Sequence, residues 1–477
     1  MLSLSHFIGF GTIVCAFVAL FTPIGKKLWG NMTKEEFRKF LLLSFPLMLI
    51  LGPYWMLRAM KDEIFNDLVG FTQWQPVAKI VSVLVVAILL ILFSKLVDKV
   101  KKDKLFFVVC FFYGALFLAT AYMLSMYYIN PESISLNQNS FFYPLVSWIP
   151  GKFFGWFSYL TLESFGSIAP NALFWAFVAS TVTTESAKRG YGMILFFTQI
   201  ATIGCTMIVD NYSQSLGLPT LVTIGAVAVM LVPFFVQLFL KVVPQEVAPV
   251  HVTSANKPQT GFFEGFRLLL TRPYLLGVFV VVTFYEIIAT IMEYQMKSIA
   301  AATFTGHGGM SSFIAKNGEV ANFLALFFAL VGTSFFMRKF GLRFCLLTFP
   351  VLIGISIFSV VAFYFMGATP LEMLWAFFGI MVVIKGISYA LNNPTKEVMY
   401  IPTSKDVKYK AKGWIDCFGG RSSKATGSFI TTAIKASPNM FMIGSVMSFI
   451  LIGVWIPVAL FVGNTNKKLV EENKIIE

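Results

Sequence analysis

Lys241-Val242-Val243-Pro244-Gln245-Glu246-Val247-Ala248-Pro249-Val250-His251-Val252-Thr253-Ser254-Ala255-Asn256-Lys257-Pro258-Gln259-Thr260 interrupts a chain that is otherwise strongly apolar. Prolines at 244, 249 and 258, with polar residues between them, stop a helix from continuing, so about 242–272 reads as a loop. Six apolar segments precede it, near 38–59, 75–97, 105–127, 153–180, 190–211 and 219–241. Six follow, near 273–295, 317–337, 342–366, 370–392, 413–437 and 439–462. Each is close to the roughly 20 residues a helix needs to cross hydrocarbon. This layout predicts an all-α integral membrane protein of about twelve transmembrane helices. They form two six-helix halves, 38–241 and 273–462, joined by the linker and related by an axis along the membrane normal.

Composition agrees. The 477 residues are 57% hydrophobic and 13% charged, with mean hydropathy +0.77, whereas a soluble chain carries about 25% charged residues. Strand-length alternation is absent, which excludes a β-barrel. A further apolar stretch, Phe7 to Ile24, contains Gly9, Gly11 and Pro23 and lacks the basic flank of a signal peptide. It reads as an accessory or interfacial segment within an N-terminal region 1–37, and 463–477 reads as a tail.

Charge sets the orientation. With the N-terminus in the cytoplasm, 27 of the 37 lysines and arginines fall on that side, as the positive-inside rule requires. Both termini are then cytoplasmic. The net charge of +14 becomes a matter of topology, and a nucleic-acid partner is not expected. Cysteines 15, 110, 205, 345 and 417 are scattered without CxxC spacing, and His6, His251 and His307 lie far apart. Neither disulfide framework nor metal site is expected.

The membrane charges carry the functional reading, since a charge at mid-bilayer costs about 2.5–3.5 kcal/mol even on lenient scales. In the fourth segment Glu163, Ser167 and Asn171 recur every four residues, with Pro170 on the same turn. Glu163 either lines a substrate or ion path or pairs with a cation from a neighbouring helix. Glu293 and Lys297 are spaced i,i+4 and suit a pair. Arg58, Lys61, Asp62 and Glu63 close the first segment, and spacing alone reads them as ordinary interfacial charges. The end of the seventh segment, Met292 to Lys297, weakly echoes Met56 to Lys61 of the first.

Arg421 and Lys424 differ, because they lie well inside their segment, share one helix side at i,i+3, and are flanked by Gly419, Gly420 and Gly427. Glycines allow close approach, arginine offers a planar fork and lysine a compact charge, so the run suits a phosphate. It is not a Walker A loop, since GxxxxGK[ST] is absent. Lys385, Ser388 and Asn392 form another polar face in the tenth segment. Trp175, Tyr285 and Tyr389 are available to stack on a base, although core or lipid-facing packing is the commoner use of such rings. Cations outnumber carboxylates among these groups, which implies an anionic solute.

One set of motifs resembles a known family. Thr395-Lys396-Glu397-Val398-Met399-Tyr400-Ile401-Pro402, then Lys410-Ala411-Lys412-Gly413-Trp414-Ile415-Asp416, then Gly419 to Gly427, are similar to the KEMAYIP, GKAAID and GKSGG segments of the nucleotide transporters. Those are the bacterial and plastid-type ATP/ADP translocases, unrelated to mitochondrial carriers. Leu57 to Asp62 resembles the family's LR-x-x-KD motif, Glu163 with Leu173-Phe174-Trp175 its E…LFW segment, and Ile291 to Lys297 its LVE-x-x-WK. The order and spacing hold from about residue 22 onward. Three places depart from the pattern: Ser423-Lys424-Ala425-Thr426-Gly427, Asn393 where an aspartate is usual, and Tyr294-Gln295-Met296.

The resemblance implies a major-facilitator-like secondary transporter that exchanges nucleotides, with Lys61, Glu163, Glu293 and Lys424 important for transport. ATP against ADP is the expected exchange, without hydrolysis, cofactor or metal. Arg421, Lys385, Asn392 and Arg58 complete the expected substrate-binding set. The expected setting is the inner membrane of an intracellular bacterium, with the protein a monomer in the bilayer. A plastid precursor is disfavoured because no Ser- and Arg-rich transit peptide precedes the spans. Proton-driven net import of nucleotides, or of another phosphorylated organic anion, is the alternative within the same fold. A membrane-embedded lipid enzyme would need a His/Asp or metal constellation that three separated histidines do not suggest.

Overall fold

The computed structural model describes residues 33–100, 102–134, 143–182, 184–243, 267, 269–331, 333–388, 393–400, 402–404, 415, 419–437, 439–472 and 474–475. Leaving aside the short helices Tyr143–Val146 and Asn393–Met399, the elements are α1 (Lys34–Leu68), α2 (Phe71–Lys99), α3 (Lys102–Ile129), α4 (Phe153–Ser167), a π-helix (Ile168–Trp175), α5 (Ala176–Thr181), α6 (Thr184–Leu216) and α7 (Leu218–Val242). After the linker come α8 (Pro273–Thr303), α9 (Gly309–Val331), α10 (Thr333–Phe365), α11 (Pro370–Ile387), α12 (Gly420–Ile434) and α13 (Met440–Glu471). No β-strand occurs among the described residues. Phe7–Ile24 and most of the linker lie outside them.

Nine of these described helices are long and apolar enough to cross a membrane, and they coincide with nine of the twelve expected segments. The other three segments share a property. The one near 153–180 changes from α4 to a π-helix at Ile168, α9 carries Lys316 and Glu319, and α12 carries Arg421 and Lys424. Charged or irregular backbone at membrane depth is tolerated only where protein or a water-filled cavity surrounds it. These three helices are therefore expected to turn their charged or irregular sides toward protein or water rather than lipid. On α2, by contrast, Leu84, Ile88, Ile91 and Leu92 are all more than half exposed and form one stripe at helical spacing.

The chain divides into two compact units. The first comprises Met1–Phe71, Leu84–Val252 and Gly306–Phe323; the second comprises Thr72–Val83, Thr253–Thr305 and Leu324–Glu477. In the first, α1 packs along α6, α7 and α4, and α7 also along α3. Helices approach closely where glycine permits: a Cβ at Gly190 would fall 2.1 Å from the Phe40 ring. In the second, α8 packs against α13, α12 and α11, and α10 against α13 and α11.

One expectation is corrected at the end of the first segment. Thr33 caps α1 with Glu36 in a reciprocal capping box, and the helix runs on to Leu68, past the apolar run that ends near 59. Arg58, Lys61, Asp62 and Glu63 therefore lie within a packed helix. Lys61, Asp62 and Glu63 are buried rather than interfacial.

Candidate functional site

In the first unit the centre is Lys61. Its ammonium donates a short hydrogen bond to Glu163 Oε1, lies 3.8 Å from Asp62 Oδ1 and sits 4.1 Å above the Tyr159 ring. The lysine side chain is 7% exposed and that of Asp62 0%, so both charges are removed from water and depend on each other. Glu163 keeps 30% exposure, making it the accessible end of the group. Arg58, half-buried one turn earlier, lies over the Trp55 ring at 5.0 Å. The pairing weighed for Glu163 is thus present, with Lys61 of a neighbouring helix as its cation, and the carboxylate keeps one side open.

The regular polar face expected for Glu163, Ser167 and Asn171 does not persist. The backbone turns π-helical at Ile168, around Pro170, which cannot donate to an α-helical ladder. The Ser167 hydroxyl donates back to the Glu163 carbonyl at 3.0 Å, and Asn171 is exposed. Of the rings available for stacking, Trp175 meets Phe174 and Tyr191 edge-on, and Tyr285 meets Phe349. Tyr389 and Asn392 lie outside the described residues.

In the second unit, three lysines converge on one carboxylate. Glu293 is 2.9 Å from Lys297 Nζ, 3.3 Å from Lys385 Nζ and 3.8 Å from Lys79 Nζ. The i,i+4 spacing of Glu293 and Lys297 anticipates the first contact. Lys385 comes from α11 and Lys79 from α2. The flanking residues are structural. The Tyr294 hydroxyl donates to the Thr72 carbonyl at 2.6 Å, and the Gln295 amide donates to the Met440 carbonyl at 3.2 Å.

Lys424 is on the same unit but faces outward, with its side chain 50% exposed and its ammonium 3.7 Å from Glu286 Oε2. Glu286 lies two turns before Glu293 on α8, and sequence reasoning passed over it. Arg421 is half-buried on α12. The glycines around the pair divide by role. A Cβ at Gly427 would fall 2.8 Å from Thr290 Cβ and 3.1 Å from the Ile287 carbonyl, so this glycine seats α12 on α8. A Cβ at Gly420 would meet no described residue within 4 Å beyond its own helix. Gly427→Ala is therefore expected to cost about 1–3 kcal/mol through overpacking, read as a lower thermal unfolding midpoint in detergent, while Gly420→Ala leaves the midpoint unchanged.

Sequence reading missed another network. Glu63 accepts hydrogen bonds from the backbone N–H groups of Gly308 and Ser311, closing the start of α9. Beside it His307 Nδ1 lies 3.1 Å from Asp67 Oδ2, which also accepts from the Tyr128 hydroxyl at 3.1 Å. Glu63, Asp67 and His307 thus gather donor atoms within 4.8 Å of one another, contrary to the expectation that no histidine joins such a set. A sequence separation of 240 residues between Asp67 and His307 hides the meeting. Cys110, Cys205 and Cys345 are free thiols.

A family profile described as TLC ATP/ADP transporter matches residues 18–465. ADP,ATP carrier protein 1 of Rickettsia bellii is 25% identical over 441 residues, covering 86% of this chain and 88% of its own. The chloroplastic ADP,ATP carrier protein 1 of Arabidopsis thaliana is 26% identical over 440 residues, covering 82% and 68%. Among solved structures, a bacterial homologue of the iron transporter ferroportin in an inward-facing state matches with a TM-score of 0.61 at 11% identity, over 89% of this chain and 99% of that one. The nucleoside transporter NupG matches with a TM-score of 0.56 at 14% identity, over 90% and 98%. At such identities the structures speak to fold alone, and that fold is major-facilitator-like.

Proposed function

The chain belongs to the TLC ATP/ADP transporter family, and from that premise we propose that it exchanges ATP for ADP across a membrane as a secondary transporter. The observation that carries the chemistry is the convergence of Lys79, Lys297 and Lys385 on Glu293. Three ammonium groups around one carboxylate create a positive field suited to a polyphosphate, and they need no hydrolysis to act. Lys424 and Arg421 bind phosphate oxygens, Lys61 adds charge, and Glu163 and Glu293 are the resident counter-charges. Arg58 and Asn392 complete the set. Residues 38–241 and 273–462 form the two six-helix halves, each terminus is cytoplasmic, and the protein works as a monomer in the inner membrane of an intracellular bacterium.

Counterflow tests the proposal. Vesicles loaded with ADP take up labelled ATP, and empty vesicles do not. Uptake into empty, acid-driven vesicles at the full rate would replace exchange by proton-driven import. Lys424→Ala removes a charge-assisted contact of about 1.5–3 kcal/mol and is expected to slow exchange by about 10- to 100-fold. ATP uptake at the unmodified rate in that variant would remove Lys424 from the phosphate site.

A further inference from the structure

Ser312, Lys316 and Glu319 follow one another on one face of α9, at i, i+4 and i+7. The first two are engaged by Asp210 of α6. The Ser312 hydroxyl donates to Asp210 Oδ1 at 2.6 Å, and Lys316 Nζ lies 4.0 Å from Asp210 Oδ2. Glu319 is 3% exposed, and no hydrogen bond or ion pair joins it to any described residue. The charges acting on it are Asp210 across the helix contact and Lys316 on its own helix. From α1, Arg58 lies over the Trp55 ring, which a Cβ added at Gly318 would meet at 3.6 Å, and Glu63 is held by backbone N–H groups at the start of α9. One turn beyond Glu319, the buried Asn322 side-chain amide nitrogen also has no hydrogen-bond partner.

A carboxylate withdrawn from water without a cation of its own is far cheaper neutral than charged. A metal ion would need several oxygens at once, and those of Asp210 are engaged with Ser312 and Lys316. A proton needs only Glu319. We propose that Glu319 is a proton-binding residue of the transport cycle, and that its protonation sets the rate of nucleotide exchange. The packed arrangement of α9 on α6 belongs to the protonated form. As pH rises and Glu319 ionises, arrangements that return it to water gain, and passage through the packed state slows.

Counterflow against pH and infrared spectroscopy test this together. Above the transition, exchange in the unmodified protein is expected to fall about tenfold per pH unit, while Glu319→Gln, fixed in the neutral shape, gives a flat profile. In the infrared, the carbonyl band of a protonated carboxylic acid is present in the unmodified protein at low pH and absent from Glu319→Gln. An unchanged pH profile in the variant, or an unchanged acid band, overturns the proposal. If the glutamine variant does not reach the membrane, Glu319→Asp takes its place. It keeps an acid on a shorter arm, so a shifted profile supports the proposal and an unshifted one overturns it. The transport arm rests on the exchange reading above and the infrared arm does not, so failure of one is distinguishable from failure of the other.

Discussion

Lys61→Ala protein is expected to lose nucleotide exchange by at least about 100-fold, because truncating one partner of a buried pair costs roughly 3–5 kcal/mol. The alanine leaves Asp62, fully buried, and Glu163 with one cation fewer between them. Two carboxylates near one another then compete to shed charge, and the contact between α1 and α4 loses its tie. Stability and transport are separable here. In Lys61→Ala/Glu163→Ala the Glu163 carboxylate is gone as well and only buried Asp62 still lacks the lysine, so thermal stability should recover part of what the single variant lost. If Lys61 also meets the substrate, exchange stays lost in the double variant. Recovery of exchange to the unmodified rate would make the pair a structural tie only. Counterflow and thermal melts on the two singles and the double form a complete cycle.

Apolar runs announced the nine described helices that are long and apolar enough to cross a membrane, because that property depends on composition and length alone. What the runs could not announce is where helices continue beyond their apolar part. α1 continues through Lys61 to Leu68 because its last turns are buried by other helices, which a hydropathy window cannot register. The site pairs were hidden for a related reason. Lys61 and Glu163 are 102 residues apart, and only the Glu293–Lys297 pair, one turn apart, was legible from spacing. Family motifs recovered Lys61, Asp62 and Glu163, yet gave no sign of Tyr159, Lys79 or Glu286 beside the motif residues. Gly427 was read correctly as a point of close approach, but what approaches is Thr290 of α8.

The three segments that depart from a plain apolar helix hold much of the unusual chemistry. α4 with its π-helix carries Glu163, α9 carries Lys316 and Glu319, and α12 carries Arg421 and Lys424. A helix side turned to protein or water is freed from the need to be apolar. The same freedom lets charges accumulate there and costs the segment its hydropathy signal. Weak spans in such a chain are thus where functional residues are best sought.

Glu293→Gln should bind nucleotide about tenfold more tightly while exchanging it at least about tenfold more slowly. The carboxylate holds Lys297 at 2.9 Å, Lys385 at 3.3 Å and Lys79 at 3.8 Å, and a phosphate that takes these ammonium groups must compete with it. A neutral amide of nearly the same shape competes poorly, so bound nucleotide gains. Release then suffers, because no resident anion is ready to take the lysines back as the phosphate leaves. Uniform tightening of binding does not speed a transport cycle, and here it traps one state of it. Equilibrium binding of labelled ADP to purified protein, set beside counterflow, reads the two effects apart. If Glu293 merely neutralises the lysines within the fold, the glutamine variant instead binds more weakly and melts at a lower temperature, since three like charges then lose their common anion. Weaker binding together with a lower melting temperature would thus assign Glu293 to the scaffold and leave the exchange step to other groups.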